Sequence, residues 1–153
     1  MKLKTMGLAL ALCLIAAAVC FGSPQMGTWK LNEAKSTLAP GEAKNSTVIY
    51  QEAGENVKII VDGTDAAGKP IHNEWVGKFD GKEYPVVGDP TSDSRIYKTI
   101  DANTLELTIK KGGKVTLVAR IVVSADGKTR TLTGSGTDPQ GNKISTTLLY
   151  DRQ

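Results

Sequence analysis

Cysteine, histidine and aromatic residues are scarce in this chain of 153 residues. Both cysteines, Cys13 and Cys20, lie in the N-terminal segment, His72 is the single histidine, and aromatic residues make up 5% of the chain. A Cys/His nucleophile pair or a histidine-rich zinc site therefore cannot be built from the rest of the sequence. The motif G-x-S-x-G is also absent, because Ser135 lies in the run TGSGT. These absences predict a protein that is not an enzyme and that holds no metal or other cofactor.

Long runs of one charge sign are missing as well. The chain has 19 basic and 16 acidic residues, and its longest basic run is the pair Lys110 and Lys111. Without Lys2 and Lys4, which belong to the leader described next, 17 basic residues stand against 16 acidic ones. A nucleic-acid-binding protein concentrates Lys and Arg on one face, so this near-neutral balance predicts no nucleic-acid partner. The length fits one domain with a sizeable core.

Residues 1–22 have the layout of a secretory signal peptide. Lys2 and Lys4 supply the positive start, residues 7–21 carry no charge, and the run GSP then interrupts the apolar stretch. The uncharged stretch is shorter than the roughly 20 residues that span a bilayer, which argues against the alternative of a retained anchor. We therefore predict export to the periplasm or the cell exterior, with residues 23–153 as the working domain.

The end of the leader leaves two cleavage sites and one modification open. Cleavage after Cys20 or after Gly22 satisfies the preference of signal peptides for small residues at the cut. The alternative is acylation of Cys20, because bacterial lipoprotein signals end in a small residue followed by cysteine. The bulky Val19 departs from that pattern. Contact with a membrane is expected only if Cys20 is acylated.

After the leader, apolar and polar residues alternate in about ten short segments separated by turn residues. The clearest segment lies between Lys114 and Ser124, where every second residue is apolar. Asp-Gly pairs, such as those that begin at Asp80 and Asp126, tolerate the positive φ of tight hairpin turns. The predicted strands are Gly27–Asn32, Ser46–Ala53, Val57–Asp62, Pro70–Phe79, Glu83–Val87, Ser94–Ile100, Leu105–Lys111, Lys114–Ser124, Arg130–Thr137 and Lys143–Asp151.

The hairpin spacing predicts an all-β fold with antiparallel meander topology. Closure into an up-and-down β-barrel of about 8–10 strands would remove both exposed sheet edges. A sandwich of two meander sheets is the alternative. Pro85 lies inside a predicted strand, so we expect a bulge or a local edge there. The best helical candidate, residues 33–44, contains a Pro-Gly pair and is expected to form a loop or a single turn.

The two ends of the domain carry a family resemblance. The start GTWKL and the end LYDR resemble the opening and closing strands of calycins, the group of lipocalins and fatty-acid-binding proteins. Both families are antiparallel β-barrels that enclose small hydrophobic ligands, so the resemblance implies a small apolar ligand and a divergent, exported bacterial family. It also implies that Gly27, Trp29, Tyr150 and Arg152 close the barrel, with Arg152 stacked on Trp29 through a cation–π contact.

Two departures from fatty-acid-binding proteins matter. That family inserts a helical lid after its first strand, whereas residues 33–45 are too few for two helices. It also holds the ligand carboxylate with an Arg two residues before the closing Tyr, and Leu148 occupies that position here. A carboxylate clamp of that kind is therefore not expected.

The candidate ligand-binding residues are aromatic and polar side chains within the predicted strands. Trp75 shares a strand face with Asn73 and Phe79, and an aromatic wall with a polar group is typical of ligand pockets. Ordinary core packing is the alternative. An inward Lys98 would meet an anionic head group, whereas an outward Lys98 would reach solvent. The candidates are Tyr50, Asn73, Trp75, Tyr84, Tyr97 and Lys98.

The sequence thus predicts an exported, monomeric protein that binds or carries a small hydrophobic ligand inside a β-barrel. The alternative is an exported inhibitor, interaction protein or envelope component with a packed barrel and no ligand. An open apolar cavity would favour the first function, and a filled interior would favour the second. His72 and Glu74 share a strand face and are expected to form a surface pair rather than an acid/base pair.

Overall fold

The computed structural model describes residues 22–153, and these residues form ten β-strands with one short 3₁₀ turn at Glu33–Lys35. The predicted strands agree with the observed ones to within three residues at every end. The strands are β1 Gly27–Leu31, β2 Lys44–Ala53, β3 Asn56–Thr64, β4 Pro70–Gly77, β5 Asp80–Val87, β6 Ser94–Thr99, β7 Thr104–Lys111, β8 Lys114–Val123, β9 Thr129–Thr137 and β10 Lys143–Arg152.

The ten strands close into an antiparallel barrel in which each strand pairs with the next one along the chain. Strand β1 also pairs with β10, where Trp29 lies opposite Arg152 and Leu31 lies opposite Tyr150. Since a closed meander leaves no terminal edge strand, the predicted barrel is confirmed and the two-sheet sandwich is wrong. No helix among residues 22–153 is long and apolar enough to cross a membrane.

Alternation of side chains along each strand separates the barrel interior from its outer surface. On β8, Leu117, Ala119, Ile121 and Val123 are buried, while the valines between them are partly exposed. The same period places most apolar residues of the other strands on the inner face. The interior is therefore built mainly from apolar side chains, with a few buried polar residues among them.

The seam between β4 and β5 is the least paired part of the barrel. Only two residue pairs join these strands, Glu74 with Val87 and Trp75 with Val86. The Val86 N–H donates to the carbonyl of Asp93, the residue before β6. The backbone nitrogen of the neighbouring Pro85 therefore faces β4, and a proline has no N–H to donate. On β5 the ladder therefore includes Val86, the residue after the proline, and does not extend to Pro85, in agreement with the local edge that the sequence predicts.

One end of the barrel is closed by the segment that precedes β1. The Trp29 indole N–H donates to the Gln25 carbonyl, and the Gln25 side chain donates to the Asn103 carbonyl in the β6–β7 turn. Arg152 donates from its guanidinium to the carbonyls of Pro24, Met26 and Gly127. These bonds tie the first and last strands to two turns at the same end.

Candidate ligand site inside the barrel

An aromatic cluster fills the middle of the barrel interior. The Trp75 ring lies 4.7 Å from the Tyr97 ring and 6.3 Å from the Phe79 ring, measured between centroids. Tyr84 packs edge-on to Trp75 at 5.7 Å, and Tyr50 reaches Phe79 at 6.3 Å. Phe79 comes from the β4–β5 turn and Tyr84 from β5, so aromatic side chains pack at the seam where backbone pairing is sparse. Stacked and edge-on arrangements of this kind are favourable contacts between aromatic rings.

Two arginines also face the interior, and the first of them is neutralised. The Arg95 guanidinium donates to the Asp89 carboxylate at 2.7 Å and to the side-chain Oδ1 of Asn73 at 2.9 Å. Both members of the ion pair are buried, with 6% and 9% of their side chains exposed. Burial disfavours the Asp89 carboxylate, yet bonds from Ser92 and Thr91 and the charge of Arg95 hold its pKa below the ordinary value. Arg95 is thus part of a polar network that anchors the β5–β6 loop.

The second interior arginine, Arg130, has no such partner. It is 3% exposed, and its one hydrogen bond to a side chain goes from Nη2 to the Tyr50 hydroxyl at 2.8 Å. Its guanidinium lies 4.8 Å from the Tyr50 ring centroid and 5.1 Å from the Tyr150 ring centroid. The Nε and Nη1 atoms are buried without any hydrogen-bond partner among residues 22–153. A buried cation in this state is costly unless an anion or a polar group satisfies it.

The two phenols beside Arg130 stay protonated at neutral pH. Burial raises the pKa of Tyr150 to about 12, although the Arg130 charge acts in the opposite direction. Burial also raises the pKa of Tyr50 well above its ordinary value, again against the charge of Arg130. Neither phenol can therefore supply the negative charge that Arg130 lacks, but each retains an O–H that can donate a hydrogen bond.

The structure gathers most of the predicted ligand-binding residues in the interior. Tyr50, Asn73, Trp75 and Tyr97 are each at most 3% exposed, and Tyr84 is partly buried at the seam. Tyr50 belongs both to the aromatic cluster and to the Arg130 environment, so the two regions are continuous. Asn73 contacts the neutralised Arg95 rather than Arg130.

The prediction of Lys98 as a ligand-binding residue is wrong, and the outward alternative is the one observed. Lys98 is exposed on the outer surface, while its neighbour Tyr97 is buried. Adjacent residues of a strand point to opposite faces, so Tyr97 and Lys98 cannot both line the interior.

Three of the four predicted closure residues meet at one end of the barrel. The Arg152 guanidinium lies 4.2 Å from the Trp29 ring centroid, and Trp29 is fully buried. Gly27 has a φ of +117°, and a Cβ there would approach the Arg152 side chain to 2.9 Å. Tyr150 instead lies across from Arg130 on the neighbouring strand and contributes to the interior site.

The sequence analysis missed both interior arginines. The pattern that could have identified them is the two-residue period: Arg95 shares its face with Tyr97, and Arg130 shares its face with Leu132. Each arginine lies near the start of its strand, where a charged residue is ordinarily assigned to solvent.

The polar residues on the outer surface form a separate group. His72 Nδ1 lies 2.6 Å from Asp62, and His72 Nε2 lies 3.6 Å from Glu74, which also pairs with Lys58. The hydrogen bond to Asp62 raises the pKa of His72 above its ordinary value. Among residues 22–153 no three His, Cys, Asp or Glu side chains are arranged to hold a metal ion.

Comparison with known proteins yields structural neighbours alone. No protein-family model and no curated protein matches the chain. A redesigned β-barrel, mFAP1, bound to DFHBI is similar with a TM-score of 0.44 and 19% identity, over 85% of this chain and 98% of that one. EF1p2_mFAP2b bound to DFHBI has a TM-score of 0.47 and 12% identity, over 85% and 94% of the two chains. Another redesigned β-barrel has a TM-score of 0.45 and 14% identity, over 86% and 93%. These likenesses concern the fold alone.

Proposed function

We propose that this protein is an exported binding protein that holds a small hydrophobic molecule with an acidic group inside its β-barrel. The observation that carries the proposal is Arg130, a buried guanidinium with two unpartnered nitrogens and no salt bridge within 4 Å to a carboxylate of residues 22–153. The acidic group of a ligand would supply both the missing charge and the missing hydrogen-bond acceptors. The role is binding or carriage rather than catalysis.

The surroundings of Arg130 suit the two halves of such a ligand. The protonated Tyr50 and Tyr150 hydroxyls can donate to the same acidic group, since both phenols have raised pKa values. Tyr50 packs against Phe79, which stacks on Trp75. These rings provide an apolar surface for the remainder of the ligand. Ligand pockets commonly combine such an apolar lining with a few polar groups that fix orientation.

Paired ligands that differ in one group test this proposal. Decanoate and decanol share an alkyl chain, and binding of each can be followed by quenching of tryptophan fluorescence and by calorimetry. We expect decanoate to bind more tightly than decanol. Arg130→Met should lower the affinity for decanoate at least about tenfold and leave the affinity for decanol unchanged. Lys98→Met removes a cation from the outer surface and serves as the matched control.

Two results would argue against an acidic ligand. The first is equal affinity of the wild-type protein for decanoate and decanol. The second is an equal loss of affinity for both ligands in Arg130→Met. Mass spectrometry of protein purified from its native host would identify a retained ligand directly. The same spectra would fix cleavage after Cys20 or Gly22 and detect an acyl group on Cys20, both of which lie outside or at the edge of the described residues.

A packed barrel that acts through its outer surface is the second candidate function. The observation that favours it is the dense aromatic cluster around Trp75, which occupies interior space that a ligand would need. Two surface depressions lie elsewhere, one against β8 and β9 and one beside the β3–β4 turn. Absence of binding across a broad panel of apolar acids would support this candidate. In either case we propose that the chain is a divergent relative of the calycins.

A further inference from the structure

The interior of the barrel holds one positive charge that is not balanced by a paired acid. Arg95 and Arg130 are the buried cations among residues 22–153, and Arg95 is already paired with Asp89. Arg152 is only partly buried at the barrel end, where three backbone carbonyls accept its N–H groups. Arg130 is therefore the group whose charge a ligand inside the barrel would balance.

The other ionisable groups around Arg130 are neutral or negative. Tyr50 and Tyr150 stay protonated, and Tyr97 is the third phenol close enough to act on both. Glu42 from the β1–β2 loop is the acidic neighbour: after burial, which has the largest effect, its charge also raises the pKa of Tyr150. The Glu42 carboxylate accepts a backbone N–H of its own loop at 2.9 Å. None of these groups adds a positive charge.

We propose, on the basis of the function proposed above, that the site selects ligands whose acidic group carries a single negative charge. A carboxylate or a sulfonate fits this description, whereas a phosphate monoester with two charges is rejected. The cost of taking an anion out of water grows with the square of its charge, but its attraction to one arginine grows only in proportion. With Arg130 as the one cation to pair with, the second charge of a phosphate would be buried without compensation.

Glu42 strengthens this selection by repulsion. Its carboxylate acts on Tyr150, whose hydroxyl is available to the acidic group of the ligand. Like charges repel in proportion to their product, so a dianion at this place is opposed more than a monoanion. Glu42 is therefore a specificity-determining residue that disfavours dianions most.

A ligand that changes its charge by one proton tests the proposal. Decyl phosphate carries mainly one negative charge at about pH 5 and mainly two at about pH 8, because its second pKa lies near ~6. Decanesulfonate keeps one charge at both pH values and reports any effect of pH on the protein. We expect calorimetry of protein expressed from the full chain to show at least about tenfold weaker binding of decyl phosphate at the higher pH, with decanesulfonate unchanged.

Phosphorus NMR of bound decyl phosphate gives an independent measurement. A tenfold preference for the monoanion raises the pKa of the bound phosphate by one unit, so its signal should titrate at least about one unit higher in the complex than in free solution. Glu42→Gln should raise the affinity for decyl phosphate at about pH 8 at least about threefold, and raise that for decanesulfonate less. Glu52→Gln removes an exposed carboxylate of β2 and serves as the matched control.

The outcomes distinguish charge selection from acid binding as such. Equal affinity for decyl phosphate at both pH values, with decanesulfonate bound, overturns the selection and leaves the proposed function in place. An equal change in affinity for both ligands assigns the effect of pH to the protein and overturns the selection as well. An equal gain for both ligands in Glu42→Gln excludes Glu42 as a specificity-determining residue. Failure of both decanesulfonate and decanoate to bind overturns the proposed function itself.

Discussion

Replacing each interior arginine by methionine is expected to have very different effects on stability. Arg95 and Arg130 are both buried in the same barrel, but only Arg95 pairs with a carboxylate. Methionine retains a long apolar side chain while removing the charge. The change in the free energy of unfolding of each variant therefore reflects the groups that lose the guanidinium as a partner.

Arg95→Met leaves the Asp89 carboxylate buried without its cation. Breaking a buried ion pair by removing one partner costs about 3–5 kcal/mol. Asp89 keeps its hydrogen bonds from Ser92 and Thr91, so we expect a cost near the lower end, about 3 kcal/mol. The penalty should shrink as the pH falls, because a protonated Asp89 needs no cation. The wild-type protein, in contrast, loses stability on acidification, because the pKa of Asp89 is lower in the folded state than in the unfolded state.

Arg130→Met leaves no carboxylate behind. It removes one hydrogen bond to Tyr50 and two cation–π contacts, worth about 3 kcal/mol together. It also removes two buried nitrogens, Nε and Nη1, that have no hydrogen-bond partner, and each of these costs about 1–3 kcal/mol in the wild-type protein. These contributions largely cancel, so we expect a net change within about 1 kcal/mol.

Urea unfolding at pH 7, followed by tryptophan fluorescence, would measure both variants. We expect Arg95→Met to be less stable than Arg130→Met by about 2 kcal/mol, a factor of roughly 30 in the unfolding equilibrium. Adding Asp89→Asn should recover part of the loss in Arg95→Met and serves as the control. Equal losses in the two variants would refute the reasoning, because Arg130 would then be a structural group with its own internal partner.

Three further predictions concern other parts of the barrel. Gly136→Ala should lower the melting temperature strongly, since a Cβ there would lie 1.9 Å from the Thr116 carbonyl oxygen; an unchanged melt would contradict this close approach. NMR of the His72 imidazole should give a pKa above the ordinary value of about 6.5, and Asp62→Asn should lower that pKa. The stability that this contact contributes is complete below the ordinary pKa and is lost as pH rises through the raised one. Arg152→Met should destabilise the protein by about 2 kcal/mol in urea unfolding, because three carbonyls lose a donor; a loss below about 0.5 kcal/mol would disagree.

Most of the barrel could be predicted from the sequence because its information is local. The two-residue period of β8 and the Asp-Gly turns at Asp80 and Asp126 locate strands and hairpins without any knowledge of distant contacts. Pro85 indicated a local edge because a proline has no N–H for the ladder. Closure followed from the exposed edges that an open meander of ten strands would leave.

The candidate site was only partly predictable because it depends on contacts between distant strands. Tyr50 and Arg130 meet across the barrel, 80 residues apart in the chain. Alternation alone could have placed Arg130 inward with Leu132, but it could not show that Arg95 has an acidic partner and Arg130 has none. Alternation also shows that Lys98 and its neighbour Tyr97 cannot both be ligand-binding residues, so only one of these two candidates could face the interior.

The sparse β4–β5 ladder has a consequence for how the chain can be rearranged. Because β1 and β10 lie side by side, a short linker could join the beginning of the barrel to its end. New chain ends at the β4–β5 turn would then interrupt a connection between strands that share only two residue pairs. Every strand would keep its present neighbours, and the sheet order would begin at β5 and finish at β4. The seam is thus the natural place to cut the chain for a circular permutation.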